Sequence, residues 1–149
     1  MSLPNVLVLC TGNSCRSQML HGYLARELAG RAQVYSAGVE THGLNPRAVQ
    51  VMREDGVDIG HHRSTHVDEY ADVPFAYLIS VCDHARETCP VLPGLAHARR
   101  LHRSFADPAR ATGSEEQVLH AFRQVRDAIK AYARHVAASY FGNDVITEA

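Results

Sequence analysis

The sequence predicts an α/β fold, a four-stranded parallel sheet with helices on both faces, from three observations. Apolar runs of strand length alternate with segments of helical period along the whole chain. The first run, Val6-Leu7-Val8-Leu9, is continuously hydrophobic, as a strand covered on both faces must be. Third, 149 residues are enough for one domain, spanning 1–149, with a single core.

The elements follow in order. Asn5 to Leu9 reads as the first strand, and from Arg16 the apolar residues of Ser17-Gln-Met-Leu-His-Gly-Tyr-Leu recur at helical spacing. Gln33 to Gly38 is a strand and turn. Asn45 caps a helix that has Pro46 in its first turn and stops at Gly56. Phe75 to Val81 is the third strand, and a shorter one runs from about Arg100 to Phe105. Ser114-Glu-Glu-Gln117 has capping-box spacing and opens a long amphipathic helix ending near Tyr140. Asn143 to Ala149 reads as a frayed tail.

Composition removes several classes of function. A formal net charge of -1 gives no electrostatic footprint for nucleic acid. No secretory leader and no run of about 18 apolar residues is present, so a cytoplasmic protein without membrane contact is expected. In that reducing setting the four cysteines are read as catalytic, metal-binding or redox groups rather than as staples. The ten histidines are taken mostly as surface residues.

The chemistry concentrates between the first strand and the first helix, where Cys10-Thr-Gly-Asn-Ser-Cys-Arg16-Ser17 stands. A loop that opens a helix presents unpaired N–H groups and the positive end of the helix dipole, which suits a tetrahedral oxyanion. Thr11, Gly12, Asn13, Ser14, Cys15, Arg16 and Ser17 are therefore assigned to oxyanion binding, with the Arg16 fork closing over the anion. The lysine of a nucleotide-binding loop is missing, so the anion is small. Cys10 becomes the nucleophile, with a thiol expected below the free value of about 8.5, and Ser17 is expected to donate to its sulfur. Asn13 suits a left-handed turn position, and Cys15 is read as packing.

In a parallel sheet ligands sit off the carboxyl ends of the strands, and that edge gathers Cys10, Cys82 and Asp107. Asp107, held extended before Pro108, can protonate a leaving oxygen or simply start a turn. Cys82 can attack the sulfur of a Cys10 adduct, and Cys89 can then take over the disulfide by exchange. If residues 83–88 are helical the two sulfurs lie about 10 Å apart and the segment must unwind to join them. Two other readings stay open, buried small hydrophobes or a zinc site of Cys82, His84 and Cys89 with His61, His62 or His66.

Together, Cys10 to Met19, Val34-Tyr-Ser-Ala-Gly38 with Glu40-Thr-His-Gly43 and Asn45-Pro46, the Cys82/Cys89 pair with Pro90, and Asp107-Pro-Ala resemble the thioredoxin-coupled arsenate reductases, which share the low-molecular-weight tyrosine phosphatase fold. The resemblance covers nearly the whole chain. It implies arsenic detoxification by a monomer without cofactor or metal. Cys10 attacks arsenate, Ser17 supports the thiolate and Asp107 is the acid. Cys82 and Cys89 resolve and thioredoxin restores the thiols, while phosphate and sulfate compete for the loop. Several relatives hold potassium near the loop with two acidic side chains, and His21 and Thr65 stand at those places here. Phosphatases of this fold carry tyrosines after Asp-Pro, where this chain has Ala109 and Arg110. The alternative the residues leave is a phosphatase whose nucleophile is protected by Cys82 and Cys89.

Overall fold

The computed structural model describes residues 2–142, so the expected tail from Asn143 to Ala149 lies outside the described residues. Its sheet contains β1 (Asn5–Cys10), β2 (Gln33–Gly38), β3 (Tyr77–Ser80) and β4 (Arg99–His102), all parallel, in the order β2-β1-β3-β4. The helices are α1 (Arg16–Glu27), α2 (Pro46–Glu54), α3 (Asp83–Thr88) and α4 (Glu115–Tyr140). The fold class is the expected one.

Strand register explains the burial. Val6, Val8 and Ile79 point to one face, and Leu7, Leu9 and Leu78 to the other, and all six are buried. The first face is covered by α1, whose His21 meets Ser36 of β2, and by the end of α4, whose Tyr140 packs against Tyr77 of β3. The second face carries α3 and short 3₁₀ turns, with Tyr35 edge-on to Tyr70 and Phe75. Helix α2 docks on α4 from outside. Arg123 grips Glu54 with two hydrogen bonds of 2.9 Å, and Arg126 donates to the Val51 carbonyl at 3.0 Å.

Two helix starts match their sequence signals. The Asn45 side chain accepts from the N–H groups of Arg47 and Ala48, and Ser114 with Gln117 forms a complete capping box. Strands β3 and β4 are shorter than expected. Phe75 N–H is taken by Gly94 O, outside the sheet, so β3 begins only at Tyr77. Beyond His102 the chain still bonds to Ser80 and Val81, but β3 has already ended in the turn to α3 and no ladder continues. Edge strand β4 exposes Arg99 and Arg100, which blunts pairing with another chain.

Strand order reverses around β1, whose neighbours β2 and β3 are reached in opposite directions. The crevice at such a switch point lies off the carboxyl end of β1. Cys10 is the last residue of that strand.

Candidate active site

The loop from Cys10 to Cys15 has every carbonyl turned outward. Cys10 O accepts from Val39 N, Thr11 O from Glu40 N, Gly12 O from His42 N, Ser14 O from Asn45 N and Cys15 O from Met19 N. Asn13 O accepts from Gln18 Nε2, and the Ser64 hydroxyl lies 2.8 Å from Gly12 O and 3.0 Å from Asn13 O. None of the N–H groups of Gly12 to Cys15 donates to a carbonyl or to a side-chain oxygen among the described residues. Cys15, the N-cap of α1, provides no side-chain cap, and the first turn has no acidic residue. The loop and the helix start are thus a cradle of free donors with positive charge behind it.

Two glycines make this possible. A Cβ on Gly12 would lie 2.2 Å from the His42 ring, and one on Gly38 would lie 2.3 Å from Glu40 O and 2.8 Å from both Asn13 N and Thr11 O. The Gly38 clash is with backbone, so strand β2 and the loop can approach this closely only without a side chain there.

A cavity of about 480 Å³ opens above the cradle. Of the residues assigned from sequence, Cys10, Thr11, Gly12, Ser14, Cys15, Arg16, Cys82 and Asp107 line it. Asn13 and Ser17 do not; both are fully buried behind the loop. Asn13 adopts the left-handed conformation, at φ 50°. Its amide donates to Ser17 Oγ at 2.8 Å and accepts from Thr65 N at 2.8 Å. Ser17 Oγ accepts in this brace, and among the described residues no hydrogen bond joins it to the Cys10 sulfur.

Arg16 Nη1 donates to Phe105 O at 3.0 Å, and Nη2 lies 3.7 Å from Asp107 Oδ2. Asp107 in turn accepts from Ala109 N at 3.0 Å, capping a 3₁₀ turn, and is about a third exposed. Both sequence readings of Asp107, turn former and acid at the anion site, are therefore compatible with one position.

Cys10 and Cys82 line the same cavity and their thiols act on each other's ionisation, and Thr11 Oγ1 is 3.2 Å from Cys82 Sγ. The Cys82 thiol is lowered by its pairing with Cys10, then by Thr11, by the Ala85 N–H at the start of α3 and by the Arg16 charge, against its burial. The Cys10 thiol is pushed up by the same pairing and by burial, against Arg16 and the Thr11 N–H. The direction that holds belongs to the pair: its first proton leaves below the ordinary thiol range, because the cradle and Arg16 face both sulfurs, and its second leaves above it. The lowering expected of Cys10 alone is therefore a property of the Cys10–Cys82 pair, which shares one thiolate. Cys15 is raised to about 11 by burial and by Asp107, as suits a packing thiol.

Cys89 lies apart. It is the C-cap of α3, half-buried, with its thiol aimed at Pro90 O, 3.6 Å away. The six helical residues between it and Cys82 keep the two sulfurs unbonded. Among the described residues no group of three or more His, Cys, Asp or Glu side chains is arranged to hold a metal ion, and Cys82 and Cys89 at opposite ends of α3 remove the basis for the zinc reading.

Sequence reasoning did not assign four cavity residues to the site, His42, His84, Ala109 and Arg110. His42, paired with Glu40 at 2.7 Å, sits over Gly12, and His84 and Arg110 complete the rim. Isolated surface histidines and arginines carry no signal of their own; only their position beside the loop marks them.

Behind the loop, His21 and His62 stack with ring centroids 4.3 Å apart. His21 Nδ1 meets Ser36 Oγ at 2.8 Å, and His62 Nδ1 meets Gln18 Oε1 at 2.9 Å, linking the stack through Gln18 to the Asn13 carbonyl. Burial, then the charges of His62 and His61, lower His21 to about 4. The unfolded chain takes up a proton near pH 6.5 that the folded chain refuses until about 4. Stability is therefore complete above pH 6.5 and falls as pH drops through that window, by on the order of 3 kcal/mol. Urea titrations of the parent and of His21→Asn at pH 7 and pH 4.5 should show a much smaller loss in the variant. Equal losses would remove His21 as the cause.

The chain was compared with known proteins. The family model of the low molecular weight phosphotyrosine protein phosphatases matches residues 5–144. An arsenate reductase of Bacillus licheniformis is 45% identical over 129 residues, 87% of this chain and 91% of that protein. One of Bacillus subtilis is 44% identical over 124 residues, 83% of this chain and 88% of its own length. Among solved structures, an arsenate reductase in the phosphate binding state superposes with a TM-score of 0.74 at 29% identity, covering 91% of this chain and 98% of that one. A tyrosine phosphatase of Erwinia amylovora, at 20% identity and a TM-score of 0.72, shares the fold.

Proposed function

Since this chain belongs to the low molecular weight phosphotyrosine protein phosphatase family, and its relatives at 45% and 44% identity are arsenate reductases, we propose that it reduces arsenate to arsenite through Cys10, Cys82 and Cys89. The observation that carries the reading is that Cys10 and Cys82 both line the anion cavity, with Cys89 one short helix away.

Arsenate binds with its oxygens on the loop N–H groups and the Arg16 guanidinium. The Cys10–Cys82 pair shares one proton, which Cys82 takes up as the Cys10 sulfur attacks arsenic. Asp107 protonates the oxygen that departs as water. Cys82, as thiolate, then attacks Cys10 Sγ. The electron pair of the sulfur–arsenic bond stays on arsenic, which passes from the +5 to the +3 state. Arsenite leaves with the proton that Cys82 had accepted, and a Cys10–Cys82 disulfide remains. Cys89 attacks Cys82, Cys10 leaves as thiolate, and α3 must unwind to bring the two together. Thioredoxin reduces the Cys82–Cys89 bond, phosphate and sulfate compete with arsenate, and the protein works as a cytoplasmic monomer in arsenic detoxification.

The same loop would hydrolyse a phosphoester. Ala109 and Arg110, which line the cavity rim, offer no aromatic walls for a phosphotyrosine ring.

Cys89→Ser separates the steps. It should release one arsenite per protein at close to the parent rate and stop, with a Cys10–Cys82 disulfide found by peptide mass spectrometry. Sustained turnover with thioredoxin would remove Cys89 from the relay.

A further inference from the structure

Cys89 occupies a second cavity, of about 230 Å³, between α3 and the second face of the sheet. Its lining includes Leu9 and Leu78 from the sheet, Arg86 from α3 and Arg100 from β4. Register places Arg100 beside Leu78, on the face that α3 covers. Arg100 also lines an outer groove with Val91 and Leu92, so it stands between the thiol and the surface.

We propose that Arg100 is the positioning residue that readies Cys89 for disulfide exchange, its guanidinium holding the sulfur as thiolate once α3 opens. This rests on the relay reading and adds a cation to its last sulfur.

Three observations converge. Cys89 terminates α3, where the negative end of the helix disfavours a thiolate, and it is followed by Pro90, which has no N–H to offer. The Cys82 sulfur, by contrast, has the Thr11 hydroxyl, the Ala85 N–H and Arg16. Burial raises the Cys89 thiol, and the charge of Arg100, which lines the same cavity, opposes it. Finally, Arg100 has no carboxylate partner among the described residues, whereas the Arg86 and His102 side chains that line the same cavity do. Arg86 faces Asp83 at 3.9 Å, and His102 meets Ser80 at 2.7 Å and Asp83 at 2.8 Å.

The opposing influences give a gate. While α3 is folded, burial prevails and Cys89 stays a thiol bonded to Pro90 O, inert toward oxidants. When the Cys10–Cys82 bond forms and α3 unwinds, the desolvation is relieved and the long Arg100 side chain can follow the sulfur. Cys89 then loses its proton to water and attacks Cys82 Sγ. A sulfur–sulfur bond forms between 82 and 89, the one between 10 and 82 breaks, and its electron pair leaves on Cys10 facing Arg16. No external oxidant enters.

The test is a single turnover of the full chain with arsenate, quenched with an alkylating agent at intervals. Conversion of the Cys10–Cys82 into the Cys82–Cys89 disulfide is read relative to the arsenite burst of the same sample, from pH 6 to 9.5. Arg100→Met should slow conversion about tenfold at pH 7 and recover at high pH, moving the profile up by about one unit, and Arg100→Lys should restore most of the rate. Unchanged conversion, or a loss equal at every pH, overturns the role. If no arsenite forms at all, the reductase reading fails instead. The pH profile of iodoacetamide alkylation at Cys89 in arsenate-free protein then still decides Arg100: a profile moved up in Arg100→Met supports it, and an unmoved one rejects it.

Discussion

Cys82→Ser is expected to abolish arsenite release even in a single turnover, by a factor of about 10³ or more, since serine oxygen cannot take up the sulfur–sulfur bond that reduction requires. The variant should otherwise be intact. Serine is a close steric match at a position whose neighbours are the Thr11 hydroxyl and the Cys10 sulfur. Removing the Cys82 thiol also frees Cys10 from the sulfur that pushes its own thiol up, leaving Arg16 and the Thr11 N–H to act on it. Cys10 should then titrate as a lone thiol lowered by the cradle, visible as an ultraviolet thiolate step, and hydrolysis of p-nitrophenyl phosphate should persist. Arsenite release at the parent rate would refute the attack of Cys82 on the adduct.

Arg16→Lys should lower kcat/KM for arsenate by about 10²–10³, although the charge is kept. Arg16 is fixed by its bond to Phe105 O at 3.0 Å and its approach to Asp107 at 3.7 Å, and that posture presents the rest of the fork to the cavity. An ammonium cannot hold the carbonyl and two oxyanion oxygens in one plane, and it leaves Phe105 O under-satisfied. Calorimetric titration with phosphate should show weakened binding in parallel. A variant that binds phosphate as the parent does would mean that the N–H groups alone hold the anion.

Local signals were the ones legible in the sequence. The β1 run, the Asn45-Pro46 helix start and the Ser114 capping box each depend on residues within four positions of one another, and each stands where it was expected. Strand ends were not legible, because Phe75 gives its N–H to Gly94, nineteen positions away, and β4 stops where its neighbour turns into α3. In the site, the Cys10-to-Arg16 spacing revealed the cradle. It could not reveal that Asn13 and Ser17 brace the loop from behind, since side-chain direction at a left-handed turn is set by Thr65, far along the chain. Nor could it show that Cys82 reaches the loop, where Thr11 and Cys82 meet across 71 positions. Gly38 looked like an ordinary turn glycine; its need is a backbone approach that only the folded sheet displays.

The central claim is that three sulfurs carry two electrons from a protein reductant to arsenic. Its most direct test is arsenate-dependent consumption of NADPH in the presence of thioredoxin and thioredoxin reductase, with arsenite quantified at the end. The account predicts one NADPH consumed and one arsenite formed per arsenate, sustained over many turnovers. No arsenite, together with brisk hydrolysis of p-nitrophenyl phosphate, would contradict it and leave a phosphatase.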